Sequence, residues 1–135
     1  MSVFVATSVF AQYTPKSTES ADLTVTSAAD LVLTSAYYGK TVSVIGAVTN
    51  AITLPANGAT IGSSIIVAMG AGTTDATAVT ISAATVDTLV GPNDQDLDSV
   101  TWGTGHRINA VAKFISDGSF WHVQNLGGTT MTYTD

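Results

Sequence analysis

Apolar residues in this chain come in short alternating runs, and this constrains its fold more than any other feature. The longest uninterrupted run, Ile65-Ile66-Val67-Ala68-Met69, has the length of a strand and falls far short of a membrane-spanning helix. Such runs recur about every 8–12 residues with Gly, Asn or Asp between them, the spacing of a sandwich or barrel. Thr and Val are abundant, with Ile beside them in the apolar runs, and β-branched side chains suit a pleated sheet better than a helix. The runs are Val3–Phe10, Leu23–Thr26, Leu31–Thr34, Thr41–Ile45, Ala51–Leu54, Ser64–Met69, Ala78–Ser82, Thr88–Val90, Ser99–Trp102, Arg107–Ile115 and Ser119–Gln124. They predict an all-β fold, a single-domain antiparallel β-sandwich or jelly-roll-like barrel of about 8–10 strands. At 135 residues the chain can bury about two-thirds of its unfolded surface, and without cysteine it must do so unaided by disulfides.

The N-terminus departs from this pattern. Residues 1–13 read as an extended apolar arm carrying Val3, Phe4, Val5, Val9, Phe10 and Tyr13. A secretory signal fits less well, because the positive leading region is missing and Thr7 and Ser8 interrupt the apolar core. Residues 14–21 (TPKSTESA) form a small, polar, Pro-containing linker, and residues 22–135 form the sandwich domain. An arm of this kind can complete the domain's own sheet or add a strand to the edge of a sister subunit or another protein. Just after the linker, ADLTVTSA at 21–28 is followed by ADLVLTSA at 29–36. This single short repeat does not amount to a solenoid.

Charge narrows the choice of partner. Charged residues make up 10% of the chain, the net charge is −6, and the cations are Lys16, Lys40, Arg107 and Lys113. Nucleic-acid binding needs clustered Lys and Arg to replace phosphate counterions, so it is not expected. Nor is a membrane-spanning role. A surface poor in Lys and Glu loses little solvation when covered, which favours oligomers and packed assemblies.

Catalytic and metal-binding patterns fail one by one. The acidic stretch Asp94-Gln95-Asp96-Leu97-Asp98 has the alternation of a calcium loop. Counted from Asp94, however, its sixth residue is Ser99 rather than Gly, and its twelfth is Gly105 rather than Glu. It reads as a solvated acidic loop. His106 and His122 are the only histidines, too few for a zinc site without cysteine. There is no Gly-x-Ser-x-Gly elbow, and Gly70-Ala71-Gly72 and Gly103-Thr104-Gly105 lack the lysine of a phosphate loop. Arg107 reads as a strand-end charge. The sequence points to no catalytic residue, cofactor or metal, and hence to a protein that is not an enzyme.

The segment KFISDGSFWHVQNLGG at 113–128 holds the strongest hairpin signal, Asp117-Gly118 between two alternating runs. A two-residue turn there sets Ser116 opposite Ser119, Phe114 opposite Trp121 and Ala112 opposite Val123. Phe114 and Trp121 then form a core pair. The other face carries Ile115 opposite Phe120 and Lys113 opposite His122, with Val111 beyond. That mixture of apolar and polar groups suits a subunit interface.

The order Ile52-Thr53-Leu54-Pro55, Gly62 before Ser63–Met69, Ala78-Val79-Thr80-Ile81, Thr88-Leu89-Val90-Gly91 and Asp117-Gly118-Ser119-Phe120-Trp121-His122-Val123 resembles small β-structured virion proteins of tailed bacteriophages. These are head-decoration (cement) proteins, head-fibre and tail-fibre modules. The resemblance covers Val48–Asn125. It implies a trimeric sandwich or jelly roll without cofactor, seated on the capsid surface against the major capsid protein shell and bracing it. An alternative is the receptor- or carbohydrate-binding module of a tail fibre, with Tyr37, Tyr38 and Trp102 as stacking platforms. A polysaccharide hydrolase drawing its carboxylates from Asp94, Asp96 and Asp98 is a third and weaker reading.

Overall fold

The computed structural model describes residues 23–25, 30–44, 50–56, 60–69, 78–86, 88–103, 109–128 and 130–135. The arm residues Val3, Phe4, Val5, Val9, Phe10 and Tyr13 lie outside them, as do His106 and Arg107. The strands are β1 (Leu23–Val25), β2 (Leu31–Val32), β3 (Thr41–Val44), β4 (Asn50–Leu54), β5 (Ser64–Met69), β6 (Val79–Ala83), β7 (Leu89–Gly91), β8 (Asp94–Leu97), β9 (Ser99–Trp102), β10 (Val111–Ser116), β11 (Trp121–Gly127) and β12 (Thr132–Thr134). They build a seven-stranded sheet, β1-β3-β5-β10-β11-β7-β8, and a five-stranded sheet, β12-β9-β6-β4-β2.

The all-β sandwich read from the sequence is the fold of the protein, but its sheets are mixed rather than antiparallel. Among the described residues, five of the ten strand pairings are parallel. The cause is the path of the chain, which passes from one sheet to the other at each of the first six strands. Strands two apart in sequence thus become parallel neighbours, β1-β3-β5 in one sheet and β2-β4-β6 in the other. The two copies of the short repeat consequently supply β1 and β2 to different sheets.

Alternation sets which side chains meet between the sheets. In β3, β5, β9 and β10 every second residue is buried, and β6 begins on the buried phase. The core is Leu33, Val42, Val44, Ile52, Leu54, Ile65, Val67, Met69, Val79, Ile81, Leu89, Leu97, Val100, Phe114, Met131 and both tryptophans, with alanines between. Trp102 and Trp121 are fully buried and differ in one respect. The Trp121 indole N–H donates to the Pro55 carbonyl at 3.0 Å, whereas the Trp102 N–H has no partner among the described residues.

Two strands appear where the sequence predicts none. The acidic stretch is an edge strand, β8, joined to β7 through Pro92-Asn93, where Asn93 takes a positive φ of 66°. Pro followed by a residue at positive φ marks a type II turn. Gly91 is required at the end of β7, since a Cβ there would fall 2.6 Å from the Leu97 side chain and 2.8 Å from the Tyr133 ring. Tyr133 belongs to β12, the other unforeseen strand, and burial raises its phenol pKa.

The two tryptophans give a paired test. Trp→Phe leaves a cavity at either site. Trp121→Phe also strips the donor from a buried carbonyl, while Trp102→Phe removes a donor already unsatisfied. Urea unfolding should find Trp121→Phe less stable than Trp102→Phe by about 1–3 kcal/mol.

Candidate functional site: the outer face of the seven-stranded sheet

The β10–β11 hairpin forms with a register two residues away from the expected one. Ser116 pairs with Trp121, Ile115 with His122, Phe114 with Val123 and Lys113 with Gln124. Phe114 and Trp121 therefore both lie in the core without being opposite each other, and Ile115 faces His122 rather than Phe120. A two-residue slip preserves the face of every side chain, because the strand repeat is itself two residues.

The turn explains the slip. Its central residues are Gly118 and Ser119, closed by the Asp117 N–H donating to the Phe120 carbonyl at 3.1 Å. Gly118 has a φ of 97°, and neither Asp117 nor Ser119 has a positive one. This is the arrangement of a type II′ turn, with glycine at the first central position. Asp117 caps the turn: Oδ1 accepts from the N–H groups of Ser119 (2.8 Å) and Phe120 (2.7 Å), and Oδ2 meets His122 Nε2 at 2.7 Å. The hydrogen bond from His122, then those from Phe120 and Ser119, hold the Asp117 carboxyl down at about 2.

Outward of the core, the seven-stranded sheet carries three rows. Ser64, Ile115, His122 and Val90 form the first, and Thr41, Ile66, Lys113 and Gln124 the second. Ser43, Ala68, Val111 and Gly127 form the third. The residues of these rows on β3, β5 and β10 are all half-buried, His122 is exposed, and Phe120 sits in the turn beyond the first row, 36% exposed. The result is an apolar strip of Ile115, Ile66, Ala68, Val111 and Val90 with one cation, Lys113, at its middle.

The opposite outer face is chemically different. Thr132, Thr101, Thr80 and Ala51 make one row, and Thr134, Ser99, Ser82, Thr53 and Val32 another. Hydroxyls dominate it, and those of Thr80 and Thr101 lie 3.0 Å apart. Water satisfies such a face well, whereas the Ile66–Ile115 strip gains by being covered.

Other candidates from the sequence lie elsewhere. Trp102 is fully buried and offers no ring to a sugar, while Tyr37 and Tyr38 are half-buried against the core. The Tyr38 ring stands 6.1 Å from that of Trp121, and Lys40 Nζ lies 6.0 Å from the centre of the Tyr37 ring. On β8 the Asp94 carboxyl is held below its ordinary range, first by a side-chain hydrogen bond with Asp96. Among the described residues no group of three or more His, Cys, Asp or Glu side chains could hold a metal ion. Compared with protein-family models, curated proteins and solved structures, the chain matches none.

Asp117 predicts a pH dependence. Its carboxyl falls from 3.8 to about 2 on folding, so its contribution to stability is complete above pH 3.8 and is lost as pH drops toward 2. The stability gap between the wild-type protein and Asp117→Asn, measured by denaturant unfolding across pH, should be widest above 3.8 and close near 2.

Proposed function

We propose that this protein is a structural, non-catalytic subunit that self-associates through the outer face of its seven-stranded sheet and serves as a capsid decoration (cement) protein. The observation carrying the self-association is the contrast between the two outer faces. The three rows around Ile115 present an apolar strip with a single cation, and the Thr132 and Thr134 rows present hydroxyls. Protein–protein interfaces have apolar centres depleted in charge, and the first face has that character.

The capsid attribution is supported by the ordered motifs between Val48 and Asn125, which resemble phage virion proteins. From the same resemblance come the homotrimer, the virion capsid surface as location and the major capsid protein shell as partner. The apolar arm at residues 1–13 is the natural clasp, acting by strand addition on a sister subunit or on the shell. Low charge density agrees with this role, since covering the subunit strands few ions away from water.

Native mass spectrometry and light scattering should report a trimer. Ile115→Asp places a charge at the centre of the strip and should yield a folded monomer, while Thr132→Asp on the hydroxyl face should leave the trimer intact. The full-length protein should co-sediment saturably with undecorated phage heads, and deletion of residues 1–13 should weaken that binding. A wild-type monomer that ignores capsids would overturn the proposal.

A further inference from the structure

We propose that Asp117-Gly118 is a succinimide-forming site whose cyclisation the fold suppresses by hydrogen-bonding both reacting groups. An aspartate followed by glycine is intrinsically prone to this reaction because no side chain on the next residue shields its backbone nitrogen. The Gly118 nitrogen loses its proton and attacks Asp117 Cγ. A C–O bond of the carboxyl breaks, its oxygen leaves as water, and a five-membered imide remains. Water then opens the imide at either carbonyl, giving back aspartate or leaving isoaspartate, which carries an extra methylene in the backbone.

Here both partners are occupied. The Gly118 N–H donates to Ser116 Oγ at 3.1 Å, which opposes its deprotonation. Three donors hold the carboxylate, the N–H groups of Ser119 and Phe120 at 2.8 and 2.7 Å and the His122 ring at 2.7 Å. A carboxylate so held stays ionised, and an ionised carboxylate is the poor electrophile of the pair. Ser116 is itself fixed, 2% exposed, with its N–H donating to the Ser63 carbonyl and its carbonyl accepting from Gly62, both at 2.8 Å. The turn is otherwise open to water, with Asp117 and His122 side chains 43% and 46% exposed, so burial does not protect the dipeptide and its hydrogen bonds must contribute to the protection.

Isoaspartate would lengthen the backbone in the turn that sets the β10–β11 register and would move His122 along the first row. The hydrogen bonds lie within one subunit, and Ser116→Ala, buried and off the outer face, tests them apart from the proposed self-association, which Ile115→Asp tests on its own. It is tested by incubating the full-length protein and a synthetic peptide of residues 113–125 side by side at neutral pH, with isoaspartate at position 117 quantified by peptide mapping. The peptide should convert at least about tenfold faster, the ratio that one charge-assisted hydrogen bond sustains. Ser116→Ala, which changes only a buried side chain away from the outer face, and His122→Ala should each speed conversion in the folded protein. Equal rates for protein and peptide would overturn the proposal, and so would wild-type rates in both variants. The protein–peptide comparison stands even where a variant does not fold.

Discussion

The indole N–H of Trp121 reaches from the seven-stranded sheet to the carbonyl of Pro55, which follows β4 in the five-stranded one, at 3.0 Å. Its backbone N–H is spent in another direction, on the Thr88 carbonyl at 2.9 Å, and this begins the parallel pairing of β11 with β7. Its ring lies against Tyr38 in the segment between β2 and β3. One residue thus ties together four parts of the chain far apart in sequence. The bond to Pro55 satisfies a buried donor and couples the two sheets at this end of the sandwich. The Ser116 backbone reinforces the same end by bonding to Gly62 and Ser63, so the hairpin tip and the entry to β5 are locked together.

Much of this was legible in the residues. The β5 and β9 runs coincide with the observed strands, and the inward set of β10, Ala112 and Phe114, follows directly from alternation. What failed did so for physical reasons. β8 reads DQDL, without the β-branched and aromatic residues of a core strand, and only Leu97 is buried. An edge strand needs a partner on one side alone, so its sequence need not look like a strand, and its charged side chains discourage further pairing. β12 is three residues long and announces itself only through Tyr133.

Strand direction was invisible for a different reason. Period-two alternation is the same whether neighbours run parallel or antiparallel, so nothing in Val42, Val67 and their flanking residues says that β3 and β5 run together. Register at the hairpin depended on a local competition. Asp-Gly is a strong turn signal, but Asp117 gains more as the cap of the turn, with its carboxylate satisfied by three donors, than as a central residue forced to positive φ. The faces survived the misplacement, and so the candidate interface residues Val111, Lys113, Ile115 and His122 share one face even though their cross-strand partners differ.

The two outer faces follow from that alternation as well. Each core strand spends half of its residues on the interior and leaves the other half to define a surface. In β6 and β9 those outward positions hold Thr80, Ser82, Ser99 and Thr101, whose hydroxyls satisfy water or each other. In β5 and β10 they hold Ile66, Ala68, Val111 and Ile115, which satisfy neither. Both sheets contribute inward residues to the one core, Val42, Ile65, Val67 and Phe114 from one and Ile52, Val79, Ile81 and Val100 from the other, so the difference is confined to the outward positions. The asymmetry lies on outward positions that the sandwich core does not fill, and it is the observation on which the proposed self-association rests.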